Sequence, residues 1–212
     1  LAQINMFAVL GAFTHLARLD PASRRLLAAA APFTLRLRVL GGPKARFIFA
    51  EGCCVLTPAA GPADGTYLFL SPWRFNAMLA GERSAFSLAE LSRGAFINQT
   101  LTGLTRRLAA FLLPSQAALT DRDFAAVSGM LRFYVQAAAL AEIANHDQEG
   151  RGLMAGLPPG ILSLGCRQGP EAVLIFDQGR AEARAEQAPR WDARVRLAGP
   201  AQVDPWLRGE AA

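Results

Sequence analysis

Glu142 and His146 stand four residues apart in the stretch AEIANHDQEG, so on a helix they share one face. A carboxylate and an imidazole one turn apart can hold part of a metal site or pass a proton, and Asn145 and Asp147 are adjacent. A closed metal site needs more ligands from elsewhere. The same spacing suits a helix C-terminus, where His146 complements the dipole and Glu142 holds the ring by a hydrogen bond. On that reading the cluster anchors its helix to the first folded unit. His15, the other of two histidines, sits on a predicted helix and reads as a surface or half-buried residue. Cys53, Cys54 and Cys166 give no CxxC and no paired metal spacing. Cys53 and Cys54, neighbours on a predicted strand, point to opposite faces. The cysteines read as buried small apolar residues, and a reducing cytoplasm fits best. The chain has no G-x-S-x-G, G-x-G-x-x-G or Walker A motif. GGPKAR carries glycines and Lys44 without phosphate-loop spacing and reads as a turn. The sequence therefore predicts no enzyme, no cofactor and no metal.

The elements around these residues are those of an α+β chain. Its 212 residues hold one large domain or two small ones, with 52% hydrophobic and 18% charged side chains. The net charge is +5, almost all from arginine, because Lys44 is the only lysine. Arg24–Arg25 and Arg106–Arg107 are the only adjacent basic pairs, so no nucleic-acid partner is expected. The opening LAQINMF has no basic region and no small-residue cleavage site, so no signal peptide is expected.

The strongest pattern is a repeat. FTLRLRVLGGPKARFIFAEG (33–52) returns as GILSLGCRQGPEAVLIFDQG (160–179). At one constant offset, Pro32, Leu35, Leu37, Gly42, Pro43, Ala45, Ile48, Phe49 and Gly52 meet Pro159, Leu162, Leu164, Gly169, Pro170, Ala172, Ile175, Phe176 and Gly179. After a one-residue slip, Pro72, Leu79, Gly81 and Glu82 meet Pro200, Leu207, Gly209 and Glu210. Identity falls on turn residues and apolar strand positions, as a duplicated backbone requires.

Ile4, Phe7, Leu10, Phe13 and Ala17 give a first helix one apolar stripe, and Asp20–Pro21 starts a second. From Phe33 the period becomes two, predicting strands at 33–39, 45–50, 53–57 and 66–70. Ser71–Pro72 starts a helix that Gly81 ends. A short helix is expected at 87–91, a fifth strand at 95–102 and, after Gly103, a helix at 104–113. A long helix is predicted from Thr120 to about Asn145, with Thr120 and Asp123 in capping-box spacing. Arg132 near its centre argues against membrane insertion, since a charge at mid-depth costs ~2.5–3.5 kcal/mol. A helix buried between two sheet units explains it better. Gly150 and Gly152 are expected to end that helical region. The expected organisation is N-terminal helices (1–31), a first module (32–114), a helical connector (115–158) and a second, incomplete module (159–212).

FTLRLRVLGGPKARFIFAEG, the Tyr67–Leu70 strand, SPWRFNAMLAGE and FINQTLTGLTRRLAAFL together resemble the sterol carrier protein 2 (SCP2-like) family. The whole chain resembles bacterial proteins with two such modules joined by a helical segment ending in an EIANHD-like sequence. The resemblance covers roughly residues 32–114, and 159–210 in part, and carries no catalytic signature. The second copy stops where a last strand and covering helix would follow.

What the resemblance implies is a mainly antiparallel five-stranded sheet covered by helices that enclose an apolar tunnel. The implied function is non-catalytic binding or carriage of a lipid-like ligand, such as a fatty acid or isoprenoid-like lipid. Phe75, Met78, Leu79, Phe86, Leu88, Phe96, Leu104, Leu108 and Phe111 are the candidate lining residues, and they serve equally as core. No stable membrane insertion is expected, and a homodimer is among the expected partners. The alternative is an accessory protein-interaction module with a fully packed core.

Overall fold

The structure, a computed structural model, describes residues 1–30, 32–57, 61–82, 87–91, 94–167, 169–199 and 202, with backbone alone at 87–91 and 94–98. The α+β chain divides into two compact units, Leu1–Leu113 and Pro114–Ala212.

The first unit opens on a helical run: α1 (Ala2–Ile4), a π turn over Asn5–Val9, a 3-10 turn over Leu10–Ala12, and α2 (Phe13–Leu19). The predicted stripe holds from Leu10 on, with Leu10, Phe13 and Ala17 buried, but the π turn shifts its first part: Ile4 and Phe7 are only half-buried, and Met6 and Ala8 point inward instead. Asp20 then caps α3 (Pro21–Ala29), accepting from the Ser23 N–H at 2.9 Å.

The sheet contains β1 (Phe33–Val39), β2 (Lys44–Ala50), β3 (Cys53–Thr57), β4 (Gly65–Phe69) and β5 (Ser87–Leu91), in the order β3-β2-β1-β4-β5. It is mixed. β1, β2 and β3 form an antiparallel meander, β4 lies parallel to β1, and β5 returns antiparallel to β4. The expected layout is mainly antiparallel; the sheet departs from that at the β1–β4 pair, because β4 enters on the far side of β1 instead of extending the meander. The connection into β4 carries Gly61 onto the sheet: the Arg36 guanidinium donates to the Gly61 carbonyl, and Arg46 fills the space a Cβ at Gly61 would need.

Residues 87–91, expected as a helix, form a strand instead. SLAEL has helix-forming composition, but pairing along the whole of β4 prevails and covers an edge that would otherwise lie open. The expected strand at 95–102 and the helix after Gly103 are one element, α5 (Gly94–Leu112). Gly103 is tolerated inside that helix for packing: a Cβ there would lie 3.3 Å from the Leu26 side chain of α3. Between β4 and β5, Ser71 caps α4 (Pro72–Leu79), as predicted, with Pro72 at its first position.

One face of the first sheet is dry. Phe33, Leu35, Leu37 and Val39 of β1 alternate inward with Ala45, Phe47 and Phe49 of β2. Phe33 stacks on Phe49 at 4.6 Å, and Phe13 of α2 meets Phe47 and Phe49 edge-on at 6.1 and 6.5 Å. The N-terminal helices therefore complete the core of the first unit.

His15 on α2 is half-buried, and burial, reinforced by Arg18, pushes its pKa from 6.5 down to about 4. Its stabilising effect is complete above pH 6.5 and is lost as pH falls from 6.5 toward 4, because only the unfolded chain takes up the proton there. The expected loss is about 1–2 kcal/mol after allowance for screening at a partly exposed ring. Denaturant unfolding of the wild type and of His15→Gln across that window checks this. The variant should show a flatter pH dependence; parallel curves would count against the assignment.

In the second unit α6 (Arg122–His146) packs on a four-stranded sheet of β6 (Gly160–Cys166), β7 (Glu171–Asp177), β8 (Arg180–Arg184) and β9 (Ala193–Leu197), ordered β8-β7-β6-β9. β6 and β9 are parallel, like β1 and β4. The cap of α6 is Asp121, not Thr120: its carboxylate accepts from Asp123 N and Phe124 N. By length and composition α6 could cross a membrane, and 28% of its most apolar window is buried.

The duplication holds in backbone detail. Glu51 and Gly52 have φ of 52° and 74°, and Gln178 and Gly179 have 48° and 72°. Val39 N donates to Pro43 O at 3.0 Å, and Cys166 N donates to Pro170 O at 3.0 Å. Asp64 accepts from Thr34 N at 2.6 Å where Asp192 accepts from Ile161 N at 2.8 Å. These carboxylates hold the start of β4 and of β9 against the first strand of each copy.

Candidate functional site

The EIANHD segment proves to be a structural corner. Asn145 makes two hydrogen bonds with the backbone of Ala181, donating to its carbonyl at 2.7 Å and accepting from its N–H at 2.8 Å. An amide can do this because it offers a donor and an acceptor side by side, as a neighbouring strand would. Ala181 lies in β8, an edge strand, so the clamp ties the end of α6 to the second unit, not to the first. Asp147 caps the next helix, α7 (Gln148–Ala155), accepting from Glu149 N and Gly150 N. Gly150 and Gly152 thus lie inside a helix they were expected to end. A Cβ at Gly150 would come within 2.5 Å of the Ile143 carbonyl, so glycine permits the tight turn between α6 and α7.

His146 lies 3.5 Å from Glu142. Partial burial, with Arg151 and Arg180 nearby, holds its pKa below the usual value. Among the described residues, no group of three or more His, Cys, Asp or Glu is placed to hold a metal ion. Burial, with Cys53 beside it, pushes the Cys54 thiol up to about 12, and burial also raises Cys166. Neither is an activated thiolate. Cys53, on the opposite face, is exposed.

The second sheet carries a polar cluster that sequence reading missed. Glu171 accepts from the Ser163 hydroxyl at 2.8 Å and from Arg194 at 3.0 Å, and Arg194 lies over the Trp191 ring at 5.7 Å. Ser163 is fully enclosed and donates to a carboxylate already engaged by a guanidinium, which is a packing role. An open depression beside it is lined by Ile161, Pro189, Arg190, Trp191 and Asp192.

The apolar candidates gather in the first unit. Phe75 on α4 is fully buried, its ring edge-on to Phe69 of β4 at 5.1 Å. One turn on, Met78 and Leu79 are only half-buried. Asn76, between them and Phe75, accepts from the side chain of Asn5 at 3.0 Å, which joins α4 to the π turn. Leu104, Leu108 and Phe111 form one buried stripe on α5. That helix packs against α2, α3 and β5, while α4 packs on β4 and α1. Phe86 lies outside the described residues. Leu88 and Phe96 are placed by backbone only: Leu88 in β5 at the register position opposite Leu68, Phe96 in the first turn of α5.

A polar staple sets the position of α5. Arg107 forms a bidentate ion pair with Asp20, through Nε to Oδ2 and Nη2 to Oδ1, the latter at 2.7 Å, and its guanidinium also lies 5.6 Å from the Phe111 ring centre. Ser23 Oγ donates to the same carboxylate at 2.5 Å. Sequence reading found Asp20 only as a cap. Its partner is 87 residues away, with no local signal to announce it.

No protein-family model matches the sequence, and no curated protein matches it. A solved structure described as "UbiJ-SCP2 Ubiquinone synthesis protein" is similar at 19% identity, over 49% of this chain and 97% of that one, with a TM-score of 0.34. A score of that size leaves the fold to be argued from this chain's own strand order and registers.

Proposed function

We propose that the first unit is a non-catalytic binder of an apolar, lipid-like ligand, held between the β4 side of the sheet and helices α4 and α5. The observation that carries this is an apolar surface left part-exposed beside β4. Over β1 and β2 the dry face is sealed by Phe13, Phe33, Phe47 and Phe49. Beside β4, the enclosed Phe75 runs out to half-buried Met78 and Leu79, an apolar rim with the Asn5–Asn76 pair alongside. Apolar walls with a few oriented polar groups are what a lipid site needs. The resemblance of residues 32–114 to the SCP2-like family supports the same reading. Affinity would come from burying ligand surface, at ~25 cal/mol per Å².

Native mass spectrometry of the full chain purified without detergent tests this. A co-purified lipid that a fluorescent fatty acid displaces is the expected result. Failure of every apolar probe to bind would leave the packed protein-interaction module as the better account.

A further inference from the structure

Leu40, Leu70 and Trp73 are 40%, 45% and 65% exposed, and the fold brings them to one end of the first unit. Val39 pairs with Phe69, the Leu40 N–H donates to the Phe69 carbonyl at 2.9 Å, and a Cβ at Gly42 would lie 3.4 Å from Pro72. The turn after β1 and the start of α4 therefore form one rim. Arg38 and Lys44 stand directly opposite each other on β1 and β2 beside that turn, both exposed, and Arg74 follows Trp73. Neither Arg36–Ala50 nor Thr66–Gly81 contains an aspartate or glutamate. Among the described residues, no carboxylate pairs with Arg38, Lys44 or Arg74.

For folding alone this arrangement is unfavourable: like charges directly opposite on neighbouring strands repel, and Trp73, Leu40 and Leu70 leave much of their apolar surface in water. The second copy shows that the backbone does not require it. The same turn there carries Gly165, Arg167 and Glu171 in place of Arg38, Leu40 and Lys44. In sequence, Ala198, Ala201 and Gln202 replace Leu70, Trp73 and Arg74. Tryptophan and leucine flanked by these cations match a bilayer interface, where indole sits at headgroup level and cations meet anionic phosphates.

We propose that this rim docks the first unit onto an anionic lipid surface, with Leu40, Leu70 and Trp73 entering the headgroup layer and Arg38, Lys44 and Arg74 meeting its phosphates. Docking of this kind does not depend on an internal ligand, so the two readings can fail separately.

Flotation of the full chain with phosphatidylcholine vesicles, and with vesicles of three parts phosphatidylcholine to one part phosphatidylglycerol, tests it. The expected result is binding to the anionic vesicles only, weakened by salt. Arg38→Gln with Lys44→Gln should reduce it roughly 25-fold, about fivefold for each cation removed. Trp73→Ser should weaken it independently of charge, with melting unchanged in both variants because the altered side chains are exposed. Equal binding to neutral vesicles, binding that survives both variants, or no binding to either vesicle would overturn the proposal. Association through the apolar helix α6 would appear as the second of these.

Discussion

Arg107→Ala is expected to destabilise the first unit by about 3 kcal/mol, and more than Asp20→Ala, although Arg107 is the more exposed partner. The Arg107 side chain is 37% exposed and that of Asp20 only 6%. An arginine left alone can turn to water, whereas an aspartate left alone remains a buried charge. The loss falls at the low end of the range for a broken buried pair because Ser23 still donates to the carboxylate. Adding Asp20→Asn to Arg107→Ala should recover part of it, since the amide keeps a capping oxygen without the charge. Burial alone would raise the Asp20 pKa, but the Arg107 hydrogen bond, the Ser23 donors and the Arg107 charge outweigh it and hold it below 3.8. The pair's contribution is therefore present above pH 3.8 and is lost as pH falls below it. Chemical denaturation of the three variants checks the order. Equal losses for the two single substitutions would contradict the buried-charge account.

Phe47→Ala is expected to cost about 3–5 kcal/mol, the largest effect anticipated for a single core position. Phe47 is 1% exposed, stands opposite Leu35 and Leu56 on the flanking strands, and lies 6.1 Å from Phe13. Its removal opens a hole between two rigid strands and a helix, none of which can close it without breaking a ladder. Thermal unfolding by circular dichroism measures this. A cost below about 1 kcal/mol would mean that the phenylalanine cluster is not the packed half of the dry face.

The repeated hairpins were legible because their turns demand particular residues. Gly52 and Gly179 sit at positive φ, and the turn prolines recur at matched positions. The same comparison contained the Asp64–Asp192 match, a readable signal that was passed over. β5 and α5 were not legible. SLAEL suits a helix as well as a strand, and Gly103 resembles a turn until α3 is seen to press on it. The place of the N-terminal helices in the core and the Arg107–Asp20 staple depend on long-range contacts, which periodicity does not report. Within the candidate site, the apolar stripes on α4 and α5 were visible from spacing. The Asn5–Asn76 pair was not, because two asparagines far apart in sequence carry no pattern.

Titration of the delipidated full chain with a fluorescent fatty acid, set beside Met78→Glu, tests the binding reading most directly. Met78 lies half-buried at the apolar rim, so a carboxylate there can stay in water while the fold survives. Saturable binding by the wild type, weakened about tenfold or more in the variant at unchanged melting temperature, is the predicted result. No binding by the wild type, or equal binding by both proteins, would contradict it.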